Sequence, residues 1–545
     1  MMRKTFFILL VSSVVFSQML KPTFSEIIPN LSDGLATNAI VQMAISSDST
    51  KLWLGTTGGI SFVNLKDESL PVYSLDVGRG GITAIATRDS MIFFATAIDS
   101  ATALGNFPAG VGLYYSGDDG DTWSFFPQPV DLFDSQLPIF DSVEVANLDN
   151  GLIFRQIVDS DTLTRISYEG VGFFHKPLHT QIGNITYDIV LTQSRIWIAA
   201  FYGGIKWANL SDLPDTLIWH WAVLPTDDQR NVDPDQMTDY LSDWENNLNQ
   251  RGFSVTAWNN WIWCGTAGGV NMCWEGIEKW VKHSSITNRL AGDFVVALGF
   301  DENSLRLYAA CKPTDQTQRT ALAMIDGFFG TDDSMQDLTW TMTRDGTWGY
   351  NFIFSEDAVY APSSEGLLKS NDGQFWAPFS PISDCQTGEM LFAEDVHSAA
   401  RDHQNRIWVG TTDGLAWSED EINWNIVRKF VSNAESGEPA IYAYPNPFSP
   451  THQNQSEGDG FVRIQYNLAQ PAEIRLEIYD FAMEKVWESE NFRNFSGDYS
   501  ETWNGRNFRG EHVANGVYFC KLSRSNLSPD SGNWTADWCK ILVVK

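Results

Sequence analysis

The sequence predicts an all-β protein, a β-propeller of seven blades with room for an eighth, followed by a small immunoglobulin-like β-sandwich. Three observations carry this. A Trp-centred strand that ends in Gly-Thr recurs along the chain. The 42 Gly and 22 Trp come without long helical periodicity. The C-terminal part changes to short runs of period-two alternation. A chain of 545 residues exceeds one ordinary core, and one large repeat domain with one small domain accommodates it.

The N-terminus reads as an address. Arg3 and Lys4 form a basic region, and Phe6 to Phe16 is an apolar stretch of the length expected for a secretory signal and too short to span a bilayer. Val15 and Ser17 are small enough for a signal-peptidase site, so cleavage is expected before Gln18, with Ser25 as a second choice. Residues 1–17 are then a signal peptide. No cysteine follows the apolar stretch, which argues against a lipid anchor. No later run of about 20 apolar residues is present, so no membrane span is expected.

The propeller is expected over residues 26–430. Leu52-Trp53-Leu54-Gly55-Thr56 precedes Thr57-Gly58-Gly59-Ile60. Related units begin at Ile196-Trp197-Ile198-Ala199, Ile262-Trp263-Cys264-Gly265-Thr266 and Ile407-Trp408-Val409-Gly410-Thr411, each followed by a Gly-rich turn and a new strand. Weaker copies lie at Met91 to Thr96, Leu305 to Ala310 and Ala358 to Ala361, giving seven. Each unit reads as a hairpin whose turn residues tolerate positive φ. The small residue lets neighbouring sheets approach, and the aromatic fills the space between them. Four-stranded blades of about this repeat length, arranged radially, leave few exposed edges. The copies at Phe93 and Trp197 are about 104 residues apart, room for a long insertion or an eighth, divergent blade over Asp141 to Phe174.

These units resemble the propeller repeats in sensor regions of bacterial two-component regulators, and Leu31 to Asn38 is similar to that family's lead-in to an inner strand. Ser116-Gly117-Asp118-Asp119-Gly120-Asp121-Thr122-Trp123 resembles the sialidase-type Asp-box, with degenerate forms at Ser370 to Trp376 and Ser418 to Trp424. In such a box the Asp satisfies turn amides while the Trp packs beneath. Ser116, Asp118, Gly120, Thr122 and Trp123 are therefore expected to be structural. One insertion, Asp212 to Arg251, breaks the rhythm with Asp227, Asp228, Asp233, Asp235 and Asp239 and an expected short helix over Asp235 to Asn249. Tyr240 and Trp244 within it are the candidate ligand-binding residues, because inserted loops project from one propeller face.

Residues 431–443 read as a linker, with Ser432 to Glu438 rich in Ser, Glu and Gly and a Pro-punctuated run starting at Tyr444. Over 444–545, Val462, Ile464, Tyr466 and Leu468 alternate with polar neighbours, as do Ile474, Leu476 and Ile478, which predicts an Ig-like sandwich. Pro445-Asn446-Pro447-Phe448, Ile478-Tyr479-Asp480, Trp503-Asn504-Gly505 and Asn515-Gly516-Val517-Tyr518 resemble the C-terminal sorting domains of type IX secretion cargo and the related Ig-like domain of flagellar hook-capping protein. A flagellar role is not credible behind a signal peptide and a propeller. The resemblance implies export by a secretion machinery that reads this domain, to the outer surface or medium, with retention in the periplasm as the alternative.

With 36 Lys and Arg against 68 Asp and Glu, the charge of −32 repels nucleic acids and anionic membranes. Six cysteines are too few for a disulfide scaffold; Cys520 with Cys539 and Cys264 with Cys273 are the pairs that strands could bring together, and Cys311 and Cys385 read as buried thiols. No zinc spacing, hydrolase elbow, Walker loop or dinucleotide motif is present, so no metal or cofactor is expected and no catalytic residue is assigned. Pro177 between His175 and His179 spoils a helical metal pair. The reading is a noncatalytic extracellular protein that binds a protein or glycan ligand. The alternative is a glycoside hydrolase, which needs two carboxylates converging in the central cleft at about 5 to 10 Å.

Overall fold

The computed structural model describes residues 18–20, 24–103, 105–131, 146–148, 151–158, 161–168, 171–176, 178–233, 240–277, 279–326, 337–379, 382–384, 390–391, 393, 395–430, 439–452, 455–456, 459–525 and 534–545. The expected signal peptide 1–17, most of the linker and Cys385 lie outside this set. By contacts the chain divides into two compact units, Met1–Pro378 with His397–Gly410, and Phe379–Val396 with Thr411–Lys545.

The chain is nearly all β, and its larger part is a β-propeller. Seven antiparallel sheets of four or five strands each start from an innermost strand, in turn Ile40–Ile45, Gly81–Arg88, Thr186–Leu191, Gly252–Trp258, Phe294–Asp301, Ile353–Phe354 and Val396–Arg401. Side chains join each sheet to the next. Gln42 donates to Thr83 O at 3.4 Å, and Thr83 Oγ1 to Thr186 O at 2.6 Å. Val255 N donates to Asp188 Oδ2 at 2.9 Å, and Phe253 packs on Phe294 at 4.4 Å between centroids. A Cβ on Gly299 would strike Phe352, Tyr350 packs on His397 at 4.9 Å, and a Cβ on Gly410 would meet Ile40 at 2.7 Å. The last of these contacts returns to the first sheet.

The second strand of each sheet shows why the sequence repeats as it does. Trp53, Phe93, Trp197, Trp263, Tyr308, Tyr360 and Trp408 hold one register, and each is at most 1% exposed. Two residues on stand Gly55, Ala95, Ala199, Gly265, Ala310, Pro362 and Gly410. The glycines are small because the next inner strand is close, and a Cβ on Gly265 would lie 2.8 Å from Val295 Cγ1. The following Thr or Ser staples the hairpin. Thr56 Oγ1 donates to Gly59 O at 2.8 Å and accepts from Gly58 N at 3.1 Å, and Thr266, Ser363 and Thr411 repeat this pattern. Gly59, at φ 134°, adopts a backbone that only glycine takes without strain.

The N-terminal segment laces the outer edges of three successive sheets. Gln18–Leu20 pairs with Leu217–Trp221 in the third sheet, Phe24–Ile27 with Trp123–Pro127 in the second, and Leu31–Asp33 with Val72–Leu75 in the first. Each edge thereby gains a cover for its unpaired amides and carbonyls. Leu31 to Asn38, read from sequence as a lead-in, supplies this outer strand before the chain crosses to Ile40.

Three expectations differ from the structure. The segment proposed for an eighth blade folds as a separate sheet, Ala146–Leu148, Gly151–Val158, Asp161–Tyr168 and Val171–His175, with Tyr240–Ser242 added in parallel. It does not come between the second and third sheets, which touch directly through Thr83 and Thr186. The helix expected over Asp235 to Asn249 does not form in its described part: residues 240–242 are strand, and only a single 3-10 turn, Leu248–Gln250, ends the segment. There, side chains take the amides that a helix would need: Asp243 Oδ1 accepts from Glu245 and Asn246, and the Asp227 carboxylate from Leu248 and Asn249. Finally, Cys264 and Cys273 are buried and form no disulfide with each other. Cys264 opposes Asn271 and Cys273 opposes Ile262, a diagonal too long for a disulfide.

The second unit contains a two-layer sandwich. Ile441–Tyr444, Val462–Leu468 and Gly497–Trp503 form one sheet, and Lys485–Arg493, Ala472–Tyr479, Gly516–Ser525 and Trp534–Val543 the other. Their alternating apolar residues, among them Ile464, Tyr466, Leu476, Ile478, Leu522 and Ile541, share one core around Phe448 and Trp503. Phe448 pairs through its backbone with Leu542 and Val544, so the Pro-Asn-Pro-Phe segment covers the edge of the last strand. Cys520 and Cys539 are free but directly opposite across adjacent strands.

Candidate ligand-binding cavity

The innermost strands are not regular. In five of them the ladder slips by one residue, and the skipped residues are Val41, Thr83, Tyr187, Phe253 and Val296. A bulge turns its extra residue out of the pleat. All five skipped residues line one cavity of about 490 Å³. The repeated bulge is therefore how this fold aims side chains at its axis.

Aromatic rings dominate the wall. Tyr187 stacks on Phe253 at 5.6 Å, Phe253 meets Phe294 edge-on at 4.4 Å, and Trp348 lies 5.3 Å from Tyr350. Tyr187 and Trp348 keep 36% and 37% of their surface exposed, which leaves aromatic area free for a guest. Besides the tyrosine hydroxyls, the polar side chains are Gln42, Thr83, Asp188, Lys312, Asn351 and His397. An apolar concavity with a small number of polar groups is the usual form of a small-molecule site.

Two of these groups are electrostatically unusual. Asp188 accepts from the amides of Ile189 and Val255, both at 2.9 Å, yet desolvation outweighs those bonds and pushes its carboxyl up to about 7. Lys312 Nζ sits 2.8 Å from the centroid of the Trp348 ring, and desolvation lowers its pKa. Asp188 is the single carboxylate among the described lining residues. The facing pair that glycoside hydrolysis uses is not what this wall presents.

The candidate residues from sequence fall in different places. Trp244 packs on Tyr202 at 4.8 Å, Tyr202 on Phe201 at 4.4 Å, and Phe201 on the cavity residue Phe253 at 5.4 Å. A continuous aromatic run thus joins Trp244 to the cavity. Arg251 fixes it, donating to the carbonyls of Trp244 and Glu245 at 3.1 and 2.6 Å while covering Phe201 and Tyr202. Tyr240 lies on the added parallel strand, opposite Phe173, and its side chain is outside the described set.

The turn at 116–123 is a closed hydrogen-bond circuit. Asp118 Oδ1 accepts from Ser116 Oγ at 2.8 Å and Thr122 N at 2.9 Å, its Oδ2 accepts from Thr122 Oγ1 at 2.6 Å, and Ser116 Oγ accepts from Gly120 N at 2.8 Å. Trp123 Nε1 donates to Gly120 O at 3.0 Å, and its ring packs against Trp53. Partial burial raises the Asp118 pKa, but the bonds from Thr122 and Ser116 outweigh it and the net shift is downward. Asp372 and Asp420 repeat the circuit. All three turns join the third strand of a sheet to its fourth, and none of these aspartates lines the cavity.

Sequence reasoning missed Tyr187, Asp188, Lys312 and Trp348. A signal existed for the first two, since aligning the inner strands on the aromatic repeat places Tyr187 with Val41, Thr83 and Phe253. The bulge that turns these residues inward leaves no mark in composition.

No family model matches the sequence, and no curated protein matches it. Among solved structures, the chain is similar to PorZ, a bacterial surface component of the type-IX secretion system of Porphyromonas gingivalis, at 13% identity over 93% of this chain and 81% of that one, with a TM-score of 0.28. It is also similar to the extracellular domain of the hybrid two-component system BT3049 of B. thetaiotaomicron, at 12% identity over 93% and 85%, TM-score 0.25. The WD40 β-propeller domain of Doa1 matches at 10% identity over 74% and 96%, TM-score 0.38. Similarity at this level assigns no ligand and no activity to the chain.

Proposed function

We propose that the protein is a noncatalytic extracellular binding protein, a seven-bladed propeller that takes its ligand in the axial cavity, with a glycan as the ligand class. The observation that carries this is the aromatic wall, raised into the axis by the same bulge in five successive sheets, with exposed ring surface at Tyr187 and Trp348. Building one cavity from five irregular strands costs ladder hydrogen bonds in each, which a purely structural axis does not require. Trp244, with Tyr240 beside it in the chain, belongs to the outer end of that aromatic run and extends the binding surface.

In this reading the Asp-box residues Ser116, Asp118, Gly120, Thr122 and Trp123 are fold staples. Residues 1–17 direct export, the propeller runs over 26–430, and the 444–545 module hands the protein to a secretion machinery for the outer surface or medium. The testing experiment is a glycan and peptide binding screen on the full chain, repeated with Tyr187→Ala and Trp348→Ala. Ligands should be lost in both variants while the melting temperature stays within a few degrees. Hits retained in both variants would place the ligand elsewhere.

A further inference from the structure

Lys312 is the cation of the cavity, and its surroundings are not those of a structural lysine. It ends the strand Arg306–Lys312 and lies over Trp348, with no carboxylate among the described residues within ion-pair distance. In a chain of net charge −32, an uncompensated cation in an aromatic cavity is out of keeping with the rest of the molecule. Desolvating an ammonium without a partner is unfavourable, and the Trp348 ring offsets only part of that. The other polar side chains of the wall are the Gln42 and Asn351 amides, the Thr83 hydroxyl, the His397 imidazole and the Asp188 carboxyl, and among the lining residues Lys312 is the one lysine or arginine.

From this juxtaposition we infer that the ligand is an acidic saccharide, a uronate-bearing glycan whose carboxylate pairs with Lys312. The inference rests on the axial cavity being the binding site. The aromatic walls cover the C–H faces of the sugar ring, and its hydroxyl groups donate to Asp188 and exchange hydrogen bonds with Gln42 and Asn351. An acidic sugar fits because the wall sets flat aromatic surface beside one lysine, and its hydrogen-bonding side chains, Gln42, Asn351, Asp188 and His397, suit the hydroxyl groups of a ring.

The test uses oligogalacturonate, alginate and hyaluronan oligosaccharides, each beside its carboxyl-reduced counterpart, which keeps the ring stereochemistry and removes the charge. Binding is measured by titration calorimetry on the full chain. For at least one pair the acidic form should bind 10-fold or more tightly than the reduced form. Lys312→Gln should abolish that gap, Lys312→Arg should keep most of it, and added salt should narrow it. Unchanged melting temperature in both variants controls for folding. If a reduced oligosaccharide binds as tightly as its acidic parent and Tyr187→Ala abolishes both, the cavity reading stands and the acidic-ligand inference falls. If a peptide binds in a Tyr187-dependent manner and no saccharide does, the saccharide class is wrong. If no binding depends on Tyr187, the cavity reading itself fails.

Discussion

Asp188 is where the chemistry of a single residue is most exposed to measurement. Its carboxyl, ordinarily near 3.8, is pushed up to about 7 by desolvation. Between about pH 4 and 7 the native state therefore holds a proton that the unfolded chain has released, so this group's contribution to stability falls as pH rises through that window and is flat above it. Three pH units set a ceiling of roughly 4 kcal/mol, and solvent reaching the cavity reduces it to about 2. Asp188→Asn removes the titration while keeping one acceptor. The difference in melting temperature, variant minus wild type, should climb from pH 4 to pH 7 and then level off; a flat difference would mean the carboxyl titrates normally. Asp118 has the opposite character, an ionised acceptor for turn donors. Asp118→Ala should lower stability by about 1–3 kcal/mol through unpaired donors, with ligand binding by the folded protein intact. Loss of binding at an unchanged melting temperature would make the turn functional.

At the scale of the element, the sequence was legible wherever one residue type does one physical job. The buried aromatic at Trp53, Trp197, Trp263 and Trp408 and the small residue two positions on could be read because nothing else fits between close sheets. Gly265 tests this directly. A Cβ there would lie 2.2 Å from Ser254 Oγ and 2.9 Å from the carbonyl of Val295, and backbone cannot swing aside. Gly265→Ala should destabilise by about 1–3 kcal/mol as the fourth and fifth sheets are pushed apart, visible in the urea midpoint with an unchanged slope. The inner-strand bulges were not legible, since an extra residue in a strand changes register without changing alternation for long. The misread helix at 240–249 has a similar cause. Asp227 and Asp243 hold backbone amides in place of a helix, a role that depends on the local turn and not on residue type alone. Trp244 was found because an aromatic in an acidic insertion is conspicuous; Lys312, one lysine at a strand end, was not.

For the whole molecule, the N-terminal lacing could not be anticipated, because Gln18–Leu20, Phe24–Ile27 and Leu31–Asp33 are short and owe their strand state to distant edges. The C-terminal module was legible from its alternation, and its part in export is open to experiment. Deleting Tyr444 to Lys545 should leave a folded propeller that accumulates in the periplasm while the full chain reaches the surface or medium. The deletion also removes Arg463, whose guanidinium is bound in a buried ion pair by Asp413, itself 2% exposed. Breaking such a pair costs about 3–5 kcal/mol, less here because Arg428 Nε remains 3.7 Å from the same carboxylate. The truncated protein should accordingly melt lower than its fold alone would dictate, and Asp413→Asn in the truncated background should recover part of the loss. Removing only Lys540 to Lys545 should block export as completely, because Ile541 and Val543 are fully buried in the sandwich core and the backbone of Phe448 pairs with that strand. If both truncated proteins leave the cell in normal amounts, the module is a structural appendage and export depends on another part of the chain.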